Sequence, residues 1–159
     1  MSEAKIKLKA KLKTKLSKDL NRDRVINTLN ELLEREYNGV IRYSHYSLMI
    51  YGFNRIPIVK WFREQSAESL MHAEEIGEHI TTLGGHPSLK ISKLNESFKH
   101  SMEEILNESL EHELSQIESL HELLELVKDQ SVFLEEFARK MISEEEMHVS
   151  EVRKMLRKK

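Results

Sequence analysis

No cysteine occurs among the 159 residues of this chain, and there are only 2 prolines, 5 glycines and 1 tryptophan. The missing thiols exclude disulfide frameworks, thiolate zinc sites and cysteine nucleophiles, and they are compatible with a reducing cytosol. Helix breakers are scarce, 33% of the residues are charged and 39% hydrophobic, and no Val-Ile-Thr alternation is sustained after residue 20, so the bulk reads as all-α. No apolar run reaches the roughly 18 residues that a membrane-spanning helix needs. The start Met1-Ser2-Glu3-Ala4-Lys5 lacks the apolar core of a secretory signal, which makes a cytoplasmic location the expectation.

What is present is unevenly distributed. Residues 1–22 hold seven Lys and one Arg against Glu3 and Asp19, a charge of +6, so with a total of −2 the rest of the chain carries −8. A basic arm over 1–22 therefore precedes an acidic body over 23–159. From Lys5 to Leu16 the arm alternates with a period of two, and an extended backbone would put six lysines on one side and Ile6, Leu8, Ala10, Leu12, Thr14 and Leu16 on the other. Such a strip, continued by Lys18, suits a phosphate backbone, an anionic membrane or an acidic neighbouring subunit, or is simply solvated. Without aromatic residues or a recognition fold, any contact with DNA through Lys5–Lys18 would be independent of base sequence.

The body divides into four helical segments. The first runs from about Asp23, an N-cap residue, to about Tyr51, with Val25, Leu29, Leu32, Leu33, Glu36, Val40, Tyr43 and Ser47 on one face. The second begins near Pro57 and stops at Gly84-Gly85-His86-Pro87. The third spans about Asn95 to Lys128, with a stripe of Met102, Leu106, Leu110, Glu113, Ile117, Leu120 and Leu124. The fourth runs from about Ser131 to Arg157 and presents Leu134, Phe137, Met141, Glu145, His148, Val152 and Met155. Short links make the first and second, and the third and fourth, antiparallel hairpins. The link from Gly85 to about Glu96 can reach about 40 Å when extended, enough to cross a bundle, so the second and third helices should run parallel.

One glutamate interrupts an apolar stripe in each half, and a histidine follows 35 or 36 residues later: Glu36 with His72, and Glu113 with His148. Burying a lone carboxylate there is costly unless a cation or hydrogen bonds offset the loss of water. Glu145 and His148, three apart, share a helix face. Glu36, His72, Glu113, Glu145 and His148 are thus the expected metal-binding set, one group per helix and two from the fourth. Carboxylate and imidazole without thiolate favour iron or manganese, with zinc also accommodated. The remaining histidines, His45, His86, His100, His112 and His121, are expected in surface or capping roles, and only His79 shares a face with His72.

Asn30-Glu31-Leu32-Leu33-Glu34-Arg35-Glu36 with Tyr43, Glu68-Ser69-Leu70-Met71-His72-Ala73-Glu74 with Gly84-Gly85-His86-Pro87, Glu113, and Glu144-Glu145-Glu146-Met147-His148 together resemble the bacterioferritin branch of the ferritin-like superfamily over about residues 24–156. The resemblance implies a ferritin-like four-helix bundle with a di-iron ferroxidase centre. Fe(II) would be oxidised by oxygen or peroxide, and the iron stored as ferric mineral in a homo-oligomeric shell. Tyr43 matches an aromatic residue near that centre.

Three departures from the pattern change these expectations. Ser69 stands where the family has a bridging glutamate three positions before His72. Either a π-bulge swings Glu68 into the metal set, or the site has one ligand fewer. The family's haem-binding methionine is Leu70 here, so no haem is expected. The chain ends at Lys159 without a short fifth helix, which leaves twelve, twenty-four or fewer subunits open. The alternative to a ferroxidase is a ferritin-like bundle with an impaired centre that acts as a DNA-binding, partner-binding or structural protein.

Overall fold

The structure, a computed structural model, describes residues 20–157. Among them stand four α-helices: α1 (Arg22–Met49), α2 (Arg55–Thr82), α3 (Met102–Val127) and α4 (Val132–Leu156). α1 packs along α2, α3 along α4, and α1 also meets α3. The arm over 1–22, with Lys5–Lys18, lies almost wholly outside the described residues. No helix among the described residues is long and apolar enough to cross a membrane.

Each helix end follows from local chemistry. Asn21, rather than Asp23, caps α1 by accepting from the Arg24 N–H, and Ser131 caps α4 through the Leu134 N–H. At the end of α2, Gly84 adopts φ +73°, and the Gly84 and Gly85 N–H groups reach back to the Thr81 and Ile80 carbonyls, both at 2.8 Å. This left-handed closure requires glycine and turns the chain off the helix axis.

The third helix departs from expectation: it starts at Met102, not near Asn95. Ser101-Met102-Glu103-Glu104 forms a capping box in which the Ser101 side chain accepts from the Glu104 N–H and the Glu104 side chain accepts from the Ser101 N–H. That signature stands in the sequence and outweighs Asn95 as a start signal. The buried face of α3 is also rotated by one position in part: Ile105, Ser109, Gln116 and Leu123 are buried beside Leu106, Glu113 and Leu120. The apolar stripe missed Ser109 and Gln116 because it counted only apolar residues and Glu113.

The crossover 83–101 climbs the outer side of α1. Asn30 accepts from the Ser88 N–H (2.7 Å), Glu34 O from the Ser92 N–H (3.0 Å), and the Asn38 amide donates to the Ser92 and Lys93 carbonyls. Three residues of α1, one turn apart, thereby deliver the chain from the foot of the bundle to its head, and α3 descends parallel to α2 as the connection length predicts.

Inside, the apolar core is split in two. Leu29, Leu33, Ile76, Ile80, Leu123 and Phe137 fill one half, and Tyr46, Phe62, Ile105 and Val152 the other. Between them lies a polar layer: Glu36, Ser69, His72, Glu113, Gln116 and Glu145 are all buried. A layer of carboxylates between two oily cores is unstable unless its charges are matched, so the function of the fold should be sought there.

Candidate metal centre

All four helices supply that layer. Glu36 from α1, His72 from α2, Glu113 from α3 and Glu145 from α4 are 3 to 5% exposed, and His148, also from α4, closes the layer toward one side. The cavity between them is lined by Glu36, Glu68, Glu113 and Glu145, by His72, His112 and His148, and by Tyr43, Gln65, Ser69 and Gln116. No lysine or arginine is among these lining residues.

The donors fall into two groups that share one residue. Glu36, His72 and Glu145 offer atoms all within 4.8 Å of one another, and so do Glu113, Glu145 and His148. The two imidazoles are turned the same way. His72 Nδ1 lies 3.5 Å from both Glu36 Oε1 and Glu145 Oε1, while its Nε2 faces Glu144 Oε2 at 3.6 Å. His148 Nδ1 lies 3.4 Å from Glu145 Oε2 and 4.0 Å from Glu113 Oε2, while its Nε2 faces Glu68 Oε2 at 3.3 Å. Each ring therefore points Nδ1 into the carboxylate layer and Nε2 to a carboxylate at the rim. Gln116 donates to Glu36 Oε1 at 2.6 Å, and the Tyr43 hydroxyl donates to Glu113.

The sequence left open a π-bulge that brings Glu68 into the metal set or a site with one ligand fewer. α2 is an unbroken α-helix from Arg55 to Thr82, with no π-bulge, and Glu68 stands outside both donor groups as the outer partner of His148. Without a bulge, a residue four positions before His72 projects to the side of the cavity rather than into it. Ser69 does face inward, 7% exposed, and its hydroxyl lies 2.6 Å from where a Cβ would stand on Gly39. A bare α1 backbone is what lets α2 come so near at this level.

Three residues of the site were not foreseen. His112, expected at the surface, lines the cavity and meets the Tyr43 ring edge-on at 5.8 Å. Glu144, expected in a solvated run, turns toward His72. Gln116 is hidden from a search for charged ligands, and its only sequence signal is the position one turn after Glu113. His79, on the face of His72, takes no part: it is buried against Phe133 and Phe137, with ring centroids 4.8 and 4.2 Å away.

Protonation follows from crowding. Burial, reinforced at Glu113 by the neighbouring Glu145, pushes Glu36 and Glu113 above the usual carboxylate range. Burial also opposes charge on Glu145, but hydrogen bonds from Glu113, His148 and His72 prevail and hold it well below that range. Burial alone would lower His72, yet Glu145 and Glu36 outweigh it and raise the ring to about 10, and Glu145 likewise raises His148. His112 is lowered to about 4 by burial and by Arg42, so it is neutral at pH 7. Without a metal, the raised imidazoles of His72 and His148 thus offset the charge of Glu145.

A pH dependence follows. A histidine whose folded pKa is raised contributes stability that is complete below its unfolded value of 6.5 and is lost as pH climbs through about 10. The elevated Glu113 acts in the same direction, because deprotonation there becomes costly as pH rises. The melting temperature of the metal-free protein, followed by circular dichroism in chelator, should fall steadily between pH 6.5 and 10. A flat or rising profile would contradict this charge balance.

A profile of the ferritin-like domain matches residues 26–159. The chain belongs to the ferritin-like family. Solved structures agree on the fold of this ferritin-like protein. It is similar to a ferritin-like diiron-carboxylate protein of Bacillus anthracis (25% identity, 89% of this chain and 99% of that one, TM-score 0.82). It is similar as well to the dodecameric thioferritin, a bacterioferritin-related protein, of Bacteroides fragilis (22% identity, 90% of each chain, TM-score 0.84). The Desulfovibrio desulfuricans bacterioferritin shares 24% identity over 85% of this chain and 79% of that one, with a TM-score of 0.75. Among curated proteins no sequence matches.

Proposed function

We propose that this ferritin-like protein is a ferroxidase that binds two Fe(II) ions as substrate, oxidises them, and serves iron storage and detoxification. The observation that carries the reading is the pair of buried donor groups joined at Glu145. Three carboxylates and two imidazoles, in a cavity lined by no lysine or arginine, are a donor set for a cation, and the oxygen and nitrogen chemistry suits iron, with manganese or zinc as competitors. Each of the two Fe(II) ions would give up one electron, and one dioxygen taking up two protons would leave as hydrogen peroxide. Peroxide itself can serve as the oxidant.

In this reading Glu36 and His72 Nδ1 hold one ion, Glu113 and His148 Nδ1 hold the other, and Glu145 bridges. Glu144 and Glu68, facing the two Nε2 atoms at 3.6 and 3.3 Å, would favour the tautomers that leave Nδ1 free toward the cavity, the arrangement by which carboxylates commonly orient metal-binding histidines. Glu68 is thereby an orienting residue rather than a ligand. The protons on His72 and His148 must leave when ions enter, so binding tightens as pH rises. Tyr43 and Gln116 hold Glu113 and Glu36 in place.

The similarity to the dodecameric thioferritin of Bacteroides fragilis supports a homo-oligomer here. The test is direct: Fe(II) is added anaerobically, oxygen is admitted, and ferric absorbance is followed. A rate well above that of buffer is expected. A rate equal to that of buffer removes the ferroxidase reading and leaves a bundle with a binding or structural role.

A further inference from the structure

A second cluster of metal-binding side chains lies on the outer side of α1, where the crossover reaches the head of the bundle. We propose that His45, Glu96 and His100 form a separate site for a borderline divalent cation, with Zn(II) as the type case, which ties the crossover to α1. None of the three lines the central cavity.

Distances place the donors around one point. His45 Nε2 lies 3.0 Å from Glu96 Oε2, and His100 Nε2 lies 3.5 Å from Glu96 Oε1, so the two rings approach the same carboxylate at its two oxygens. The ring centroids are 5.8 Å apart at 62°, and one donor atom from each residue falls within 4.8 Å of the others.

The unusual feature is that both Nε2 atoms are shielded from solvent and lack a hydrogen-bond partner, although the side chains that carry them are partly exposed. Each comes within ion-pair distance of the Glu96 carboxylate, at 3.0 and 3.5 Å. Converging nitrogen lone pairs that the protein itself leaves unused are the arrangement a cation completes.

The carboxylate is held in position before any ion arrives. Glu96 Oε1 accepts from the Phe98 N–H at 2.8 Å, across a turn in which Phe98 takes φ +56°, a conformation costly for a bulky residue. Nearby Arg42 is occupied by Asn38 and the Tyr46 hydroxyl, at 3.1 and 2.8 Å. A cleft of about 170 Å³ beside His45 and Glu96 leaves room for water to complete the coordination. Two imidazoles, one carboxylate and an open position match the protein donors of zinc sites that retain a water.

The bond would have a mechanical consequence. His45 belongs to α1, while Glu96 and His100 belong to the segment that hands the chain to α3. A cation there closes the last stretch of crossover, which otherwise rests on Ser97 and Glu108.

The test counts ions on the full-length protein and does not depend on what the central cavity binds. Metal-free wild type and the variants His45→Ala with His100→Ala, and His100→Gln alone, are titrated with Co(II) as the spectroscopic probe. His121→Ala serves as a control. Wild type and control should bind one more Co(II) per chain than either variant, at unchanged helix content and unchanged Fe(II) oxidation rate. Zn(II) should also slow tryptic cleavage at Lys93 and Lys99 in wild type by roughly tenfold when free ion stands at about ten times Kd, and not in the variants. Equal ion counts in wild type and variants, or cleavage of wild type that Zn(II) leaves unchanged, would overturn the proposal.

Discussion

Replacing Glu145 with glutamine should abolish high-affinity metal binding altogether, because this is the one residue that both donor groups use. Loss of Glu36 or Glu113 removes a carboxylate from one group; loss of Glu145 reduces both at once to one carboxylate and one imidazole. Removing an outer orienting partner alone typically costs 10- to 100-fold in metal affinity, so loss of the shared carboxylate should cost at least about 100-fold at each position. Iron held in the central cavity should fall from two ions per chain to none, with the separate His45, Glu96 and His100 group unaffected, and Fe(II) oxidation should fall to the buffer rate. Glu68→Gln and Glu144→Gln should keep two ions at weaker affinity, which separates an orienting role from a holding one.

The metal-free stability of Glu145→Gln should fall, but by less than the loss of one partner from a buried ion pair usually costs. Glu145 is attracted by His72 and His148 but also raises the cost of charge on Glu36 and Glu113. Without it, the two rings can shed protons near neutral pH rather than remain as stranded buried charges. A variant that simply unfolds would show instead that Glu145 serves packing, and thermal melting in chelator distinguishes the two results.

Most of the architecture was legible because helical periodicity reports which residues face inward, and connection length then limits how helices can be joined. Val25, Leu29, Leu32, Leu33 and Glu36 fall on one stripe of α1 and are buried as a set. Where the sequence misled, the cause was a residue whose burial depends on tertiary context. Ser109 and Gln116 lie inside because they border a polar layer that a search for apolar positions cannot see. His112 projects into the cavity from the position before Glu113, a place no periodicity singles out. Glu68 and Glu144 each sit one residue before an inward-facing position, Ser69 and Glu145, and only the angle at which α2 meets α4 decides that they reach across to His148 and His72. Patterns within one helix cannot encode contacts between two.

Ser69 is where this chain departs most from a symmetric centre, and reversing the departure gives a second large effect. α4 presents Glu145 and His148 three residues apart, and α2 presents Ser69 and His72 at the same spacing. Ser69→Glu would give both helices the Glu-x-x-His arrangement of di-metal bundles, adding a carboxylate opposite Glu145. Without metal, a fourth carboxylate in a layer where the two raised imidazoles already offset Glu145 is poorly compensated. It should destabilise the protein by several kcal/mol or force uptake of a proton. With metal, the same group becomes an additional oxygen donor, so the melting temperature of the loaded form should match or exceed that of wild type. The gap between chelated and metal-loaded melting temperatures should therefore widen markedly, with affinity for the second ion rising at least about tenfold, a change equivalent to 1.4 kcal/mol. The tight approach at Gly39 sets the condition for this result. Ser69 already lies against the bare α1 backbone, so the longer side chain must extend along the cavity toward the donors and not toward α1. If Ser69→Glu left both affinity and that gap unchanged, the substituted carboxylate would be pointing elsewhere, and the serine would mark a centre built from a single bridging carboxylate by necessity of packing.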